Sequence, residues 1–550
     1  MMNKMKMKMM NKSIDKRQRS IIAGGLASSA GIFLSKAIGI LYVSPFQALA
    51  TDANIAYYSY GYTLYDIALQ LAVAGIPLAI AAIIAKYYVK KDIATVFLVR
   101  KIARNLMLFL GFLAMIFIFG FATPLARIIV TDNVSETSIY YTANVLKIIS
   151  VAMIVTPLLG SYRSIFQGLK YMEVFAFSQV IEQFVRVGFL LLVGYLLVSV
   201  LGFDPMWAVY VAIAAASVAG IVAIVHLHIK EKGILALLKA EQTTDIPSIS
   251  IKEVFKEIFY FSIPFMIISL LGKSTAFVNL LFFNRAMFMI TNDGELIKLL
   301  YGMIMFNTSK LTSIPQVLAI GFSSAVIPYI SESMNTKNMK QLKKNIFDAI
   351  DTVLYFSIPL SAGLMFFAAP IYYLFFTTNA TLGGQVLFYV SSGGMILALT
   401  PVTTSIMLLT RLRKKAIVVL AISFAINLAL IFPLILTIGY PGAIYASYIA
   451  HIFVIIANLR HLSKQYKLSY KGLIRRSIIM LLSMSVFYFS YQLSILIGIN
   501  YTEIHKLFTL LYIVIFGGIG LVLYVAITWF FQIPQTIFNV NSMKDITKRK

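Results

Sequence analysis

Lys36, Lys273 and Lys310 each stand near the middle of an apolar run long enough to cross a membrane, and none has an acidic residue within four positions of it. A cation at that depth costs roughly 2.5–3.5 kcal/mol on insertion scales, so each of the three asks for a use. Counted at about 1.5 Å per residue, all three lie near mid-depth, too far from either interface to snorkel. Three cations converging on one cavity make a site for a polyanion. Asp66, at comparable depth in the next helix, offers Lys36 an ion pair as the competing explanation.

Other charges in apolar surroundings read differently. Glu182 and Arg186 are spaced i, i+4, so they can neutralise each other on one helix face, and we read them as a structural pair. Arg163 and Lys147, nearer to helix ends, are read as anchors. Cysteine is absent, which excludes disulfides and thiolate metal sites. The His226-x-His228 pair is not read as a metal site, and no cofactor is expected.

The elements that must hold these residues are apolar helices. The chain has 550 residues, 60% hydrophobic and 12% charged, with mean hydropathy +0.86. That combination belongs to polytopic membrane proteins. Apolar runs occur near 21–46, 55–85, 102–124, 141–166, 172–201, 205–229, 258–283, 297–330, 346–376, 385–410, 416–437, 441–459, 473–497 and 505–531. We therefore expect an all-α integral membrane protein of about 14 transmembrane helices. Counting residues at the ends of the runs with the adjoining loops, 37 of the 47 Lys and Arg fall in alternate loops and both termini, four (Arg127, Arg285, Lys298, Lys506) in the opposite loops, and six deeper within spans. This positive-inside pattern places both termini in the cytoplasm and accounts for the net charge of +26 without nucleic acid. Attraction to anionic membrane lipid is a secondary consequence.

The halves resemble each other. Ile76-Pro77 recurs as Ile314-Pro315 at an offset of 238, Lys36 as Lys273 at 237, and Thr156-Pro157 as Thr400-Pro401 at 244. Six helices separate the copies, so the repeat is parallel, with its axis along the membrane normal. That is a geometry of alternating-access transporters. The expected layout is a basic N-terminus (1–20), an N-lobe of six helices (21–230), a linker (231–257), a C-lobe of six helices (258–462), a further helix pair (463–531) and a C-terminal tail (532–550). Pro77, Pro157, Pro264, Pro315, Pro359 and Pro401 fall inside helices, where each removes a backbone hydrogen bond. Pro77, Pro157, Pro315 and Pro401 are candidate hinges.

Two stretches carry a family pattern. Ser35-Lys36-Ala37-Ile38-Gly39 followed by Ala50-Thr51-Asp52-Ala53 resembles the first-helix signature of MurJ-type lipid II flippases. Ser309-Lys310-Leu311-Thr312-Ser313-Ile314-Pro315, continuing to Pro328-Tyr329-Ile330-Ser331, is similar to that family's eighth-helix motif. The resemblance covers residues 20–530 and implies a MATE-like member of the multidrug/oligosaccharidyl-lipid/polysaccharide (MOP) exporter superfamily, of Gram-positive type. It implies that Lys36 and Lys310 line a central cavity, that Asp52 matters to function, and that the thirteenth and fourteenth helices form a groove for a lipid tail. Tyr42 and Tyr65-Asp66 depart from the pattern, standing where basic residues are usual.

The function this reading supports is a flippase of lipid-linked peptidoglycan precursor in the bacterial cytoplasmic membrane. Its pyrophosphate would be bound by Lys36, Lys273 and Lys310, with Asp52 and Asp66 in the same site. The expected partners are that lipid-linked glycan and membrane lipids, with other cell-wall synthesis proteins beyond them. The chain has no Walker loop, H-E-x-x-H or G-x-S-x-G, so energy would come from the membrane potential or an ion gradient. Three alternatives stay open: a flippase of another polyprenyl-pyrophosphate-linked glycan, such as a capsule or teichoic unit; a drug antiporter, disfavoured by the cationic cavity; and a membrane glycosyltransferase. The last would need catalytic carboxylates from Asp132, Glu136, Asp293 and Glu295 in the outer loops.

Overall fold

The computed structural model describes residues 34–538, apart from 36–37, 40–41, 74, 131–134, 243–245, 317–328, 331–332, 335, 377, 499 and 502–504. Lys36, Asp132, Pro328 and Ser331 therefore lie outside the described residues. Those described form helices and connecting turns, with no strand among them. Among the described residues, twelve helices are long and apolar enough to cross a membrane. The two further expected spans, the first and the eighth, are the ones that carry the undescribed stretches.

The chain divides into two compact units at Leu270–Leu271. In the first, the second span is two helices, Asp52–Val73 and Ile76–Val89. The third is Ile93–Gly120 with a short continuation, Ala122–Val130. The fourth is Glu136–Ser150 and Ala152–Gly168, the fifth Met172–Tyr195 ending in a π-turn at Leu196–Val200, and the sixth Met206–Glu241. At about 1.5 Å per residue the sixth helix is about 54 Å long, well beyond a bilayer core of about 30 Å. It thus runs through the first part of the expected 231–257 linker, and the next helix begins at Ile251. The linker is largely helical because Lys230 to Glu241 is mostly good helix formers, with no proline and a single glycine, Gly233.

The second unit repeats this order. The ninth span, Met339–Phe366 with Ala368–Phe375, matches the third, and both main helices have 28 residues. Asp92 and Asn338 cap them, accepting from Thr95 N at 2.9 Å and Gln341 N at 3.1 Å. Phe121 and Phe367 break them at corresponding positions. The tenth span, Ala380–Ser392 and Gly394–Leu409, is broken like the fourth, upstream of its Thr-Pro. Within each unit the third or ninth helix packs on the fourth or tenth, the fifth or eleventh on the sixth or twelfth, and the fourth or tenth on that same sixth or twelfth.

Burial pushes the Asp92 carboxyl up, but hydrogen bonds from Ser248 and Thr95 outweigh it and hold the group below the usual carboxylate range. Glycine is required where the second span breaks. Gly75 has φ +79°, and a Cβ there would sit 2.6 Å from the Phe265 Cβ. Pro77 consequently opens a new helix rather than kinking a continuous one.

The thirteenth span (Lys471–Ser483, Ser485–Leu496) and the fourteenth (Lys506–Phe530) pack on each other and on the ninth helix. Met480 and Tyr524 are fully buried in that contact. Arg476 binds Asp351 of the ninth helix through both carboxylate oxygens, Nε donating at 3.2 Å.

Candidate functional site

The eighth span carries the most irregular backbone near a proposed cation. Helix Gly294–Gly302 widens into a π-turn at Met303–Asn307 before resuming over 308–316. The cause is local. Thr308 Oγ1 donates to Met303 O at 2.9 Å, Ser309 Oγ to Met305 O at 2.7 Å, Thr312 Oγ1 to Thr308 O at 3.0 Å and Ser313 Oγ to Lys310 O at 2.6 Å. Hydroxyls that bond back to the preceding turn compete with the helix ladder and bend it. Asn307 Nδ2 fixes the bend by donating to the buried Tyr372 hydroxyl at 2.9 Å. Lys310 is half-buried, with its ammonium 5.6 Å from the Phe306 ring centroid, where the ring face can hold a cation.

Lys273 stands at the break of the seventh span, where it caps helix Ser274–Phe288 after Ile251–Gly272 ends. It is exposed. The helix before it packs in the first unit, through Lys86–Glu257 at 2.7 Å among other contacts, and the helix after it in the second.

In the first unit, Thr51 adopts a left-handed φ of +66° and turns helix Val43–Ala50 into the second span. Asp52 is the first residue of that span and accepts from the Gln47 side chain. A carboxylate there also meets the positive end of the helix dipole. Asp66 is half-buried further along the same helix. Pro77 packs against Gly160 of the fourth helix, and Tyr65 bonds Thr156, the residue before Pro157, at 2.5 Å. Pro401 lies inside helix Gly394–Leu409, and Pro315 packs near Gly394 at its start.

Glu182 and Arg186 do pair, at 2.6 Å, but not as a neutral couple. Arg163 of the fourth helix binds the other carboxylate oxygen at 2.9 Å, so it is not a simple anchor. Its Nε also donates to Ser178 Oγ at 3.0 Å. The signal was available in the sequence. Counting outward from the turn between the fourth and fifth helices sets Arg163 level with Ser178, and a guanidinium reaches one further turn to Glu182. Helix one approaches the same place, since Ser35 Oγ donates to Gln179 O at 3.0 Å.

A second cluster was not anticipated. Glu231, 1% exposed, accepts from Arg100 at 2.6 Å and Arg104 at 2.8 Å, and His228 lies 3.9 Å from it. His226 instead meets the Phe177 ring, so the two histidines do not converge on one point. Of the four carboxylates expected in the outer loops, Asp132 lies outside the described residues and the other three are engaged structurally. Glu136 pairs with Arg127 at 3.4 Å, Asp293 caps its helix, and Glu295 pairs with Lys298 at 2.5 Å.

The model of a family described as polysaccharide biosynthesis protein matches residues 21–334. The lipid II flippase MurJ of Bacillus subtilis (strain 168) is 30% identical over 474 residues, covering 84% of this chain and 86% of the relative. An uncharacterized membrane protein of the same organism, YabM, is 25% identical over 386 residues, 69% of this chain and 68% of the relative. Among solved structures, a lipid II flippase MurJ in an inward closed conformation superposes with TM-score 0.65 at 16% identity, over 92% of this chain and 99% of that one. An inward-facing MATE family transporter of the MOP superfamily gives 0.63 at 16% identity, over 80% and 95%.

The class is thus a multi-pass, all-helical membrane protein with the fold of the MOP exporters, whose named relatives are flippases and transporters rather than enzymes. The chain belongs to the polysaccharide biosynthesis protein family, on the branch it shares with MurJ.

Proposed function

We propose that this protein moves lipid-linked peptidoglycan precursor from the inner to the outer leaflet of the bacterial cytoplasmic membrane by alternating access. The observation that carries the reading is 30% identity to a lipid II flippase over 84% of the chain. The intramembrane cations support it, because a pyrophosphate is what a lysine cluster at mid-depth would compensate. In this account Lys36, Lys273 and Lys310 bind the pyrophosphate while the sugar-peptide occupies the polar space. The polyprenyl tail stays in lipid or along the thirteenth and fourteenth helices. Binding neutralises the site, and the loaded form turns outward. Both termini face the cytoplasm, as the distribution of Lys and Arg suggests.

The test is translocation by the purified protein in proteoliposomes, read as lipid II that becomes cleavable by an enzyme added outside. Wild type should expose it, and Lys310→Ala should reduce the rate at least about tenfold, the loss of one charge-assisted phosphate contact. Transport of a different polyprenyl-pyrophosphate glycan with lipid II left untouched would favour a capsule or teichoic unit as substrate. The family description, polysaccharide biosynthesis, accommodates that substrate equally.

A further inference from the structure

Arg163, Glu182 and Arg186 form one cluster inside the first unit, with a single carboxylate shared by two guanidiniums. The three side chains carry one net positive charge within the Met172–Val200 span and its neighbour. Glu231 is likewise shared between Arg100 and Arg104, but that cluster stands where the apolar runs end, whereas this one lies within a span. Here Arg186 Nε is buried with no hydrogen-bond partner among the described residues. The side chains remain 17–23% exposed, so the cluster is accessible rather than sealed in packing.

The cluster faces inward. Phe184, two positions from both Glu182 and Arg186, points the other way and is 70% exposed. The second span comes near by way of the fourth helix, where Thr156, two turns before Arg163, bonds Tyr65. Tyr58 and Tyr62 stack at 5.7 Å between centroids, Tyr62 and Tyr65 lie 6.0 Å apart, and Tyr65 is held by Thr156. A guanidinium that is not fully neutralised and stays 23% exposed within a span has the chemistry of an oxyanion receptor. Its planar fork grips two phosphate oxygens at once, where a lysine offers a point charge.

We propose that Arg186 binds the pyrophosphate of the transported lipid, and that Glu182 and Arg163 are positioning residues that set how much charge Arg186 has to offer. This rests on the flippase reading. Arg163 occupies half of Glu182, and so keeps Arg186 from being neutralised.

The experiment is equilibrium binding of undecaprenyl pyrophosphate, with undecaprenyl monophosphate for comparison, to the full chain in nanodiscs, with thermal unfolding of each variant alongside. Arg186→Gln should weaken pyrophosphate binding about tenfold or more. Arg186→Lys should keep part of the affinity but lose preference for pyrophosphate over monophosphate. Arg163→Gln should weaken binding, because Glu182 then neutralises Arg186. Glu182→Gln should tighten it, because both guanidiniums are released. A merely structural cluster predicts the opposite sign for Glu182→Gln, with affinity and thermal stability falling together, and that result would overturn the proposal. So would unchanged affinity in Arg186→Gln while Lys310→Ala abolishes binding, which would leave the flippase reading standing. Wild-type protein that binds neither probe would remove both.

Discussion

At the scale of single residues, the energetic question is why a membrane protein keeps cations where each costs roughly 2.5–3.5 kcal/mol. Lys310 is partly compensated by the Phe306 ring, and the hydroxyl-bonded turn around it holds its backbone. Charge and position therefore matter more there than side-chain identity. Lys310→Arg should retain at least half of wild-type flipping in proteoliposomes, whereas Lys310→Met, of similar length, should lose it as Lys310→Ala does. Equal loss in the Arg and Met variants would show that the residue serves packing. The sequence made Lys310 legible because a charge in an apolar run, with no acidic residue within four positions, is conspicuous. Arg163 was less conspicuous, because its partner lies on the next helix and shows only when residues are counted outward from the intervening turn. The π-turn before Lys310 was also hidden, since Thr and Ser hydroxyls have several carbonyls to choose from until the fold fixes one.

At the scale of elements, the duplicated prolines and the Thr-Pro pairs marked the right helices. What they could not mark was the breaks. Pro77 suggested a kinked helix, but the bend belongs to Gly75, two residues earlier, where the seventh span's Phe265 closes in and only a left-handed residue without a side chain fits. Gly75→Ala should lower stability by about 1–3 kcal/mol, from the unfavourable φ and the clash together. Gly120→Ala, whose added methyl meets nothing within 4 Å, should be neutral or slightly stabilising. Thermal unfolding of both variants in one detergent checks this, and equal melting temperatures would contradict it. Helix lengths were underestimated for a related reason. Hydropathy ends where charge begins, but Arg100 and Arg104 pair with Glu231, and so the third and sixth helices continue past the apolar window.

At the scale of the whole molecule, the repeat was legible because a duplication leaves residues in register, and the third and fourth spans recur as the ninth and tenth. The dividing point was not. It falls at Leu270–Leu271, beside Lys273, because the first part of the seventh span finds its packing partners in the first unit. If the unloaded site carries net positive charge, an inside-negative potential pulls it back inward at about 2.3 kcal/mol per charge per 100 mV moved across the full field. Collapsing the potential in proteoliposomes should therefore slow repeated flipping, and an unchanged rate would remove that version of the cycle. The central claim is tested most directly by depleting the protein in its host and measuring lipid II in each leaflet by external enzymatic cleavage, with wild type, Lys36→Ala and Lys310→Ala supplied in trans. The account predicts inner-leaflet accumulation that wild type relieves and both variants fail to relieve. Lipid II distributed as in undepleted cells would contradict it.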